Sequence, residues 1–493
     1  MNVLARLRGW SGDRDWLLTV LSVVGVVGLG MLIGQQYMMP DKRVIPVAVG
    51  LVVFGIAWRL DLVSGVGLLV LVLPFPRYTT FGSTNLAILL LLLVVWLLRY
   101  SQREAPGPRP TPLDAPLAGM TLAYVVSFYN VRQAFHLEGG IQRFILFLSC
   151  LMLFFLVVHN VRNEKGLRKF HLFQTVAIAL IHAFCLWELA FPGTYLIPGW
   201  IDLRGINVEL FQTRNYRVGG PWVDYELLSE FAALNIVFFI FMIAQARSAT
   251  RRVIFTMLLG SSMLIMFATV TRGGIAALVV GLGYLLYKIR RRTSIVPLTL
   301  IGGAAALAVI GLAYFVKEYT VAGDVFARFG DTRFVGITPE SRSEVWGQAW
   351  ERWMLHPLIG HGPFYGKVHG LKLWYWPHNL PLFLGNCFGF LGLGMFTWIV
   401  WKLWKLSVPQ TERLNDPDYV KAFQLVARVQ LVIFLVDEMK IEYLRNTNYL
   451  YQPWVLFSTL AAAGMILRER DAAARATSAA PIPALLATAT SRR

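Results

Sequence analysis

Long apolar runs are the feature that most constrains the fold of this chain. They recur along most of its 493 residues. Each run is roughly 15–25 residues long, and a helix needs about 20 residues to cross a bilayer. Backbone groups in lipid must be hydrogen-bonded within their own segment, so we expect these runs to be helices. Because 56% of the residues are hydrophobic and only 15% are charged, the sequence predicts an all-α, polytopic transmembrane bundle.

The order of the runs predicts how many times the chain crosses the membrane. We expect about 14 spans, with about 12 as the alternative, because the second and third runs are short for a bilayer-crossing helix. The predicted spans begin near Trp16, Val44, Leu62, Asn85, Pro116, Phe144, His171, Glu226, Val253, Ile275, Ile295, Asn379, Val420 and Trp454.

The distribution of basic residues predicts the sidedness of the connections. Arg6, Arg8 and Arg14 precede the first run, and basic residues beside a span favour the cytoplasmic side. Alternation from there places 99–109, 162–169, 247–252 and 288–292 inside, and 196–225, 271–274 and 317–378 outside. The net charge of +18 follows this pattern, so we expect the lipid bilayer, and no nucleic acid, as the partner of the basic residues.

These boundaries divide the chain into five parts. We predict a cytoplasmic N-terminus (1–15), a bundle with short loops (16–316), a long periplasmic loop (317–378), C-terminal membrane helices (379–467) and a disordered cytoplasmic tail (468–493). The tail is rich in Ala, Ser and Thr and has little apolar surface to pack. Its composition is therefore typical of disorder. The three cysteines, Cys150, Cys185 and Cys387, fall inside apolar runs, where we expect small core residues rather than disulfides or metal ligands.

Three basic side chains lie at the mouths of predicted spans. Arg217, Arg272 and His378 occur in the segments Arg-Val-Gly-Gly, Thr-Arg-Gly-Gly and Pro-His-Asn-Leu, all on the predicted outer side. Positive charge is uncommon on that side. The cluster therefore suggests a polyanionic ligand, and we expect chemistry on a lipid-linked phosphate.

The loop 317–378 carries further polar and aromatic residues. Trp346, Trp350 and Trp353 are spaced as one stripe of a helix, which would either sit at the level of the lipid headgroups or pack on the bundle. Four of the eight histidines (His356, His361, His369 and His378) lie in this loop. No His-Glu-x-x-His motif or close carboxylate pair accompanies them, so we predict no metal and no cofactor.

These residues together carry a family resemblance over about residues 200–400. The chain resembles the O-antigen ligase and polymerase superfamily of the bacterial envelope. The motifs are Arg217-x-Gly219 before a helix, Thr271-Arg272-Gly273-Gly274 at a helix mouth, and a long loop. That loop reads Arg342-(x)3-Trp346, His356-Pro357-Leu358-x-Gly360-x-Gly362 and His378-Asn379-Leu380. The resemblance implies a multi-pass protein of the bacterial inner membrane with its active site facing the periplasm.

The resemblance implies transfer of a glycan from undecaprenyl diphosphate to an acceptor such as lipid A–core. Fixed cations can stabilise the negative charge that develops on the leaving diphosphate, and arginine binds phosphate oxygens in a bidentate manner. We assign this catalytic role to Arg217 and Arg272. A histidine titrates close to neutral pH and can act as a general base, so His378 is the third catalytic candidate. A single displacement inverts the anomeric configuration, and arginines in place of a divalent ion make the transfer metal-independent.

Further residues are expected to bind substrate. Glycines would let backbone N–H groups approach the phosphates at the positive end of a helix. The predicted substrate-binding residues are Arg214, Gly219, Gly220, Gly273, Gly274, Arg342, Trp346 and Asn379. For Arg342 we also expect a scaffolding role through an ion pair with Glu344 or Asp224.

Other functions stay open at this stage. The first is a polymerase that joins lipid-linked repeat units, although the Arg-x10-Gly pattern often found in such polymerases is absent from 196–225 and 317–378. A ligase that glycosylates protein is a variant of the ligase that uses lipid A–core. The alternative from another class is a transporter that uses a buried pair of Glu188 and Arg428, because ionisable residues inside spans are costly and usually paired or functional.

Overall fold

The fold was obtained as a computed structural model of the chain. It describes residues 61–75, 82–132, 134–191, 216–290, 310–320, 322–324, 338–364 and 376–479, with a few short pieces between them. The predicted spans that begin near Trp16, Val44 and Ile295 lie outside the described residues or largely so. Arg214 and His369 also lie outside them.

Helices make up most of the described chain. They are α1 (Leu62–Val72), α2 (Thr84–Ser101), α3 (Asp114–Ser127), α4 (Ala134–Asn160), α5 (Glu164–Ala190), α6 (Tyr225–Gln245), α7 (Ala249–Ala268), α8 (Arg272–Ile289), α9 (Glu340–Leu355), α10 (Leu380–Leu406), α11 (Tyr419–Asp437) and α12 (Tyr451–Ala479). Residues 310–319 are also helical. Two pairs of two-residue antiparallel strands occur at loop turns: β1 (Tyr78–Thr79) with β2 (Gly82–Ser83), and β3 (Phe334–Val335) with β4 (Thr338–Pro339).

Seven of the described helices are long and apolar enough to cross a membrane. They are α4 to α8, α10 and α11. Helix α1 and residues 85–101 of α2 are apolar but shorter. The predicted all-α, polytopic class is therefore confirmed, and the chain is a multi-pass membrane protein.

Helices α6 and α11 form the centre of the described bundle. Their most apolar windows are 78% buried, against 28% for α7 and α8. Close packing of α8 on this centre depends on small residues: Gly281 lies against Ile433 of α11, and Gly274 lies against Ser229 of α6. Such residues let helix backbones approach each other in a membrane. The three cysteines are free and buried in the core, as predicted.

Residues 356–362 form backbone hydrogen bonds with helix α10 where that helix is interrupted. The break is at Gly389, whose φ is +64°. The backbone bonds across it are Phe390 N to Pro357 O (2.7 Å), Leu391 N to Leu358 O (3.1 Å), His361 N to Asn386 O (2.8 Å) and Gly362 N to Cys387 O (3.0 Å). A Cβ at Gly360 or Gly389 would overlap the opposing backbone. This motif therefore supplies the hydrogen bonds that a broken helix in a membrane needs.

The prediction of a disordered tail from residue 468 is wrong for its first part. Helix α12 continues to Ala479. Alanine has the highest helix propensity, and Arg470 ties the helix to its neighbours through Asp418 (3.2 Å) and Glu164 (3.6 Å). The residues after 479 lie outside the described part.

The predicted buried pair of Glu188 and Arg428 is also wrong. Glu188 lies near the end of α5, where it bonds to residues 216–220. Arg428 instead lies over the ring of Trp404 (3.7 Å) and points to the carbonyls of Trp404 and Ser407 at the end of α10. The two side chains have different partners and do not form an ion pair with each other. The hypothesis of a transporter depended on that pair and loses its support.

Candidate functional site

Arg217 lies against the segment that leads into helix α8. Its Nε donates to the carbonyl of Thr269 (3.0 Å) and its Nη2 donates to the hydroxyl of Thr271 (3.0 Å). The guanidinium also lies 3.2 Å from the ring centre of Tyr225. These contacts bring the two predicted arginine motifs together, because Thr271 immediately precedes Arg272.

Helix α8 begins at Arg272, after an unusual backbone turn. Val270 has a φ of +51°, which is a rare and strained conformation for a β-branched residue. Thr271 is extended and makes no side-chain cap to the helix. The first N–H groups of a helix carry partial positive charge, so Arg272 lies where an anion is favoured. Strain of this kind is often found at functional sites.

The glycines after Arg217 have a different role from the predicted one. The backbone N–H groups of Gly219 and Gly220 donate to the carboxylate of Glu188, at 3.1 and 2.8 Å. Tyr216 donates its hydroxyl to the same carboxylate. The expectation that these N–H groups approach phosphates is therefore corrected: Glu188 occupies them and fixes the turn that carries Arg217.

The glycines after Arg272 make room for protein side chains. A Cβ at Gly274 would overlap Ser229 of α6, and a Cβ at Gly273 would overlap the side chain of Lys440. Both glycines therefore have a packing role, and their approach to a phosphate stays a prediction. Their effect is to place Lys440 across the first turn of α8.

His378 lies at the entrance to α10 in a strained conformation. Its φ is +49°. Its Nδ1 is 2.8 Å from Nη1 of Arg445 and 3.3 Å from Oε2 of Glu226. About a third of the side chain, 32%, is exposed. Charged groups thus hold the ring at Nδ1, and part of the side chain stays accessible.

Asn379 and Trp346 shape the position of His378. Asn379 caps α10, because its Oδ1 accepts from Leu382 N (3.0 Å), and its Nδ2 donates to the carbonyl of Met439 (2.8 Å). The indole of Trp346 donates to the carbonyl of Pro377 (2.8 Å). Both sets of contacts fix the backbone beside His378. That Asn379 and Trp346 also bind substrate stays a prediction.

The other two tryptophans of the stripe have different surroundings. Trp353 is buried and its indole donates to the carbonyl of Pro357 (3.2 Å). Trp350 is 50% exposed. The stripe therefore packs on the bundle at Trp353 and leaves Trp350 at the surface.

Arg342 connects two parts of the site through an ion pair, as predicted, but the carboxylate partner is Glu226. Its Nη2 pairs with Oε1 of Glu226 (3.1 Å), and its Nη1 donates to the carbonyl of Lys440. The predicted ion pairs with Glu344 and Asp224 are replaced by these contacts. Arg342 thus joins helix α9 to the start of α6, and its role in substrate binding stays a prediction.

Arg445 and the acidic residues around it hold the site together, and none of them was predicted as a site residue. Arg445 donates to both carboxylate oxygens of Asp224 (2.9 and 2.7 Å) and to Glu226 (2.9 Å). A signal was available, because the segment 437–445 has Asp, Glu, Lys, Glu and Arg within nine residues of a mainly apolar region. In the predicted topology that segment shares a side with Arg217, Arg272 and His378.

Burial and charge set the ionisation of the segment between α11 and α12. Burial alone would lower the pKa of Arg445, but Asp224 and Glu226 hold the pKa above its ordinary value. Burial raises the pKa of Glu442 to about 8. Burial, together with the nearby Glu230, also raises the pKa of Glu438 well above its ordinary value. The segment therefore combines the charged guanidinium of Arg445 with carboxyl groups at Glu438 and Glu442 whose neutral forms are favoured by burial.

A metal site has no candidate in the described part of the chain. No group of three or more His, Cys, Asp or Glu side chains there could hold a metal ion. Metal-independent transfer stays a prediction, which EDTA can test.

The match to one protein-family model supports the resemblance. Residues 255–397 match the family model described as O-Antigen ligase. This segment contains Arg272, Arg342, Trp346 and His378, whereas Arg217 precedes it. The search of curated proteins finds no match. Over residues 255–397 the resemblance to the O-antigen ligase superfamily is confirmed, and the match supports a membrane glycan ligase or polymerase at the level of the family.

Proposed function

We propose that this protein is a ligase that transfers a glycan from undecaprenyl diphosphate to lipid A–core or a related glycan acceptor at the periplasmic face. One observation carries the proposal. The turn Asp224-Tyr225-Glu226 at the start of α6 is a common support for the predicted catalytic residues. Tyr225 lies under Arg217, and Glu226 contacts His378. The arginine side and the histidine side thus belong to one cluster.

Arg217 and Arg272 are proposed to bind the donor diphosphate. As the bond between the anomeric carbon and the phosphate oxygen breaks, the leaving diphosphate takes the electron pair and gains negative charge. Fixed cations stabilise this charge without having to reorganise. Arg217 is already oriented by Thr269, Thr271 and Tyr225, and Arg272 adds its charge to the positive end of α8.

His378 is proposed to take the proton of the acceptor hydroxyl through Nε2. Arginine has no acceptor atom, so a neutral His378 that accepts from Arg445 at Nδ1 has its proton on Nε2. The form with a proton on Nδ1 can instead donate to Glu226 and leaves Nε2 bare. We assign the base role to this second form, because only a bare Nε2 can accept a proton. Glu226 then stabilises the imidazolium that results.

The reaction is a single displacement. The acceptor oxygen forms a bond to the anomeric carbon, the bond to the phosphate oxygen breaks, and the hydroxyl proton passes to His378. The anomeric configuration is therefore inverted. Arg217 and Arg272 replace a divalent ion in this scheme.

A reconstituted transfer assay tests the proposal. Purified protein in liposomes would receive a defined undecaprenyl-diphosphate-linked glycan and lipid A–core, with and without EDTA. We expect glycan on lipid A–core in both conditions, with the opposite anomeric configuration to the donor. Elongation of the donor glycan without lipid A–core would show a polymerase instead. Activity lost in EDTA and restored by Mg²⁺ or Mn²⁺ would refute the role given to the arginines.

A further inference from the structure

Lys440 lies across the first turn of helix α8, next to Arg272. Its side chain occupies the space that a Cβ at position 273 would need. A Cβ at that position would force the flexible lysine stem to move from its place across the helix start. The carbonyl of Lys440 also accepts a hydrogen bond from Arg342, which holds the lysine backbone in place. The cation is therefore placed by two neighbours of the site.

Lys440 is paired with a carboxylate that has no access to solvent. Its Nζ is 2.8 Å from Oδ1 of Asp437, whose side chain is 0% exposed, whereas that of Lys440 is 24% exposed. The ammonium is thus the accessible member of the pair. Its flexible four-carbon stem lets it move between partners while its backbone stays fixed.

We propose that Lys440 is a third cation for the donor diphosphate, held by Asp437 until a phosphate oxygen takes the place of the carboxylate. The inference rests on the proposed function, because the ligand is the diphosphate bound by Arg217 and Arg272. Asp437 in this scheme opposes anion binding, since it competes for the same ammonium. It keeps the cation at the start of α8 when no phosphate is present.

Inorganic pyrophosphate is a suitable probe, because it contains the diphosphate without the lipid or the glycan. Its binding to the purified full-length protein in detergent would be measured by titration calorimetry. We expect Lys440→Ala to weaken binding by about tenfold, the effect of one hydrogen bond to a charged group. Gly273→Ala should give a similar loss although the lysine is still present, because the new Cβ displaces it. Asp437→Asn should strengthen binding, because the competing charge is removed.

The control is another Lys–Asp pair, which joins the helix of residues 310–319 to the residues after it. Lys317 and Asp324 are 3.0 Å apart and more exposed, so Lys317→Ala should leave pyrophosphate binding unchanged. Thermal unfolding of each variant would show whether the fold is intact. Equal binding by wild type and Lys440→Ala would overturn the role of Lys440. Weaker binding in Asp437→Asn would overturn it too, because a purely structural pair predicts damage from either partner.

The test separates this inference from the proposed function. If Arg217→Ala and Arg272→Ala lose pyrophosphate binding while Lys440→Ala keeps it, only the inference about Lys440 fails. If wild type does not bind pyrophosphate and does not transfer glycan, the proposed function fails as well.

Discussion

Glu188→Gln tests how the fold positions Arg217. The carboxylate of Glu188 accepts three hydrogen bonds, from Tyr216, Gly219 and Gly220. These bonds fix the residues on either side of Arg217 without contacting the proposed substrate. Glutamine has nearly the same shape, but one of its two terminal atoms is a donor. Its carbonyl oxygen therefore keeps the hydrogen bonds that it accepts. Its NH₂ group faces an N–H or O–H donor and cannot accept from it.

The size of the effect follows from the bond that is lost. A hydrogen bond to a charged group contributes about 1.5–3 kcal/mol, and a buried donor without an acceptor costs about 1–3 kcal/mol. We therefore expect Glu188→Gln to lower the free energy of unfolding by roughly 3 kcal/mol. If the turn shifts so that Arg217 loses its orientation, transfer should fall by about ten- to a hundredfold.

Two measurements check this expectation on the same purified protein. Thermal unfolding in detergent reports the stability, and the reconstituted assay reports the transfer of glycan from a defined donor. Glu138→Gln is the matched control, because Glu138 is an exposed glutamate on α4. A Glu188→Gln variant with the stability and the transfer rate of wild type would refute the role assigned to the three bonds.

His378→Ala and His378→Gln should both lose glycan transfer, because neither alanine nor glutamine is a base. Both should keep pyrophosphate binding, because the arginines hold the diphosphate. A fully active Gln variant would limit His378 to positioning the acceptor. The stability of wild type should fall as pH rises from about 5 to 8, since the neutral form of Glu442 is favoured in the fold and its pKa is raised to about 8. In Glu442→Gln the slope of unfolding free energy against pH should be smaller by up to about 1.4 kcal/mol per unit. An equal slope in both proteins would contradict the assignment. Topology reporters fused near Thr338 and Asn207 should give a periplasmic signal, and those fused near Gln102, Thr250 and Leu414 a cytoplasmic one. A cytoplasmic signal at Thr338 would place the loop on the opposite side of the membrane from the lipid-linked donor and contradict the mechanism.

The fold could be predicted well from the sequence because the bilayer imposes simple rules. Apolar length and basic residues decide where helices cross, and several predicted starts lie close to observed ones, as at Leu62, Glu226 and Val420. The break in α10 was beyond this reasoning. Its hydrogen bonds join Gly389 and its neighbours to a loop about thirty residues earlier, and a pattern of hydrophobicity does not encode such pairing.

The candidate site was predicted only in part. Arg217, Arg272 and His378 could be named because basic residues at the mouths of apolar runs are visible in the sequence. The roles of the glycines could not be predicted, because the choice between a phosphate and Glu188 or Lys440 depends on which side chain another helix brings to them. Arg445 was missed because its importance comes from Asp224 and Glu226, more than two hundred residues away.

The transfer assay with arginine variants tests the central claim most directly. Arg217→Ala and Arg272→Ala would be compared with Lys317→Ala in liposomes that contain defined donor and acceptor. One oriented charge in the transition state contributes on the order of 3 kcal/mol. We therefore predict that each arginine variant inserts normally and loses about a hundredfold in rate, that lysine restores little of it, and that Lys317→Ala is fully active. Full transfer by either arginine-to-alanine variant would contradict the proposal that these two side chains bind the diphosphate.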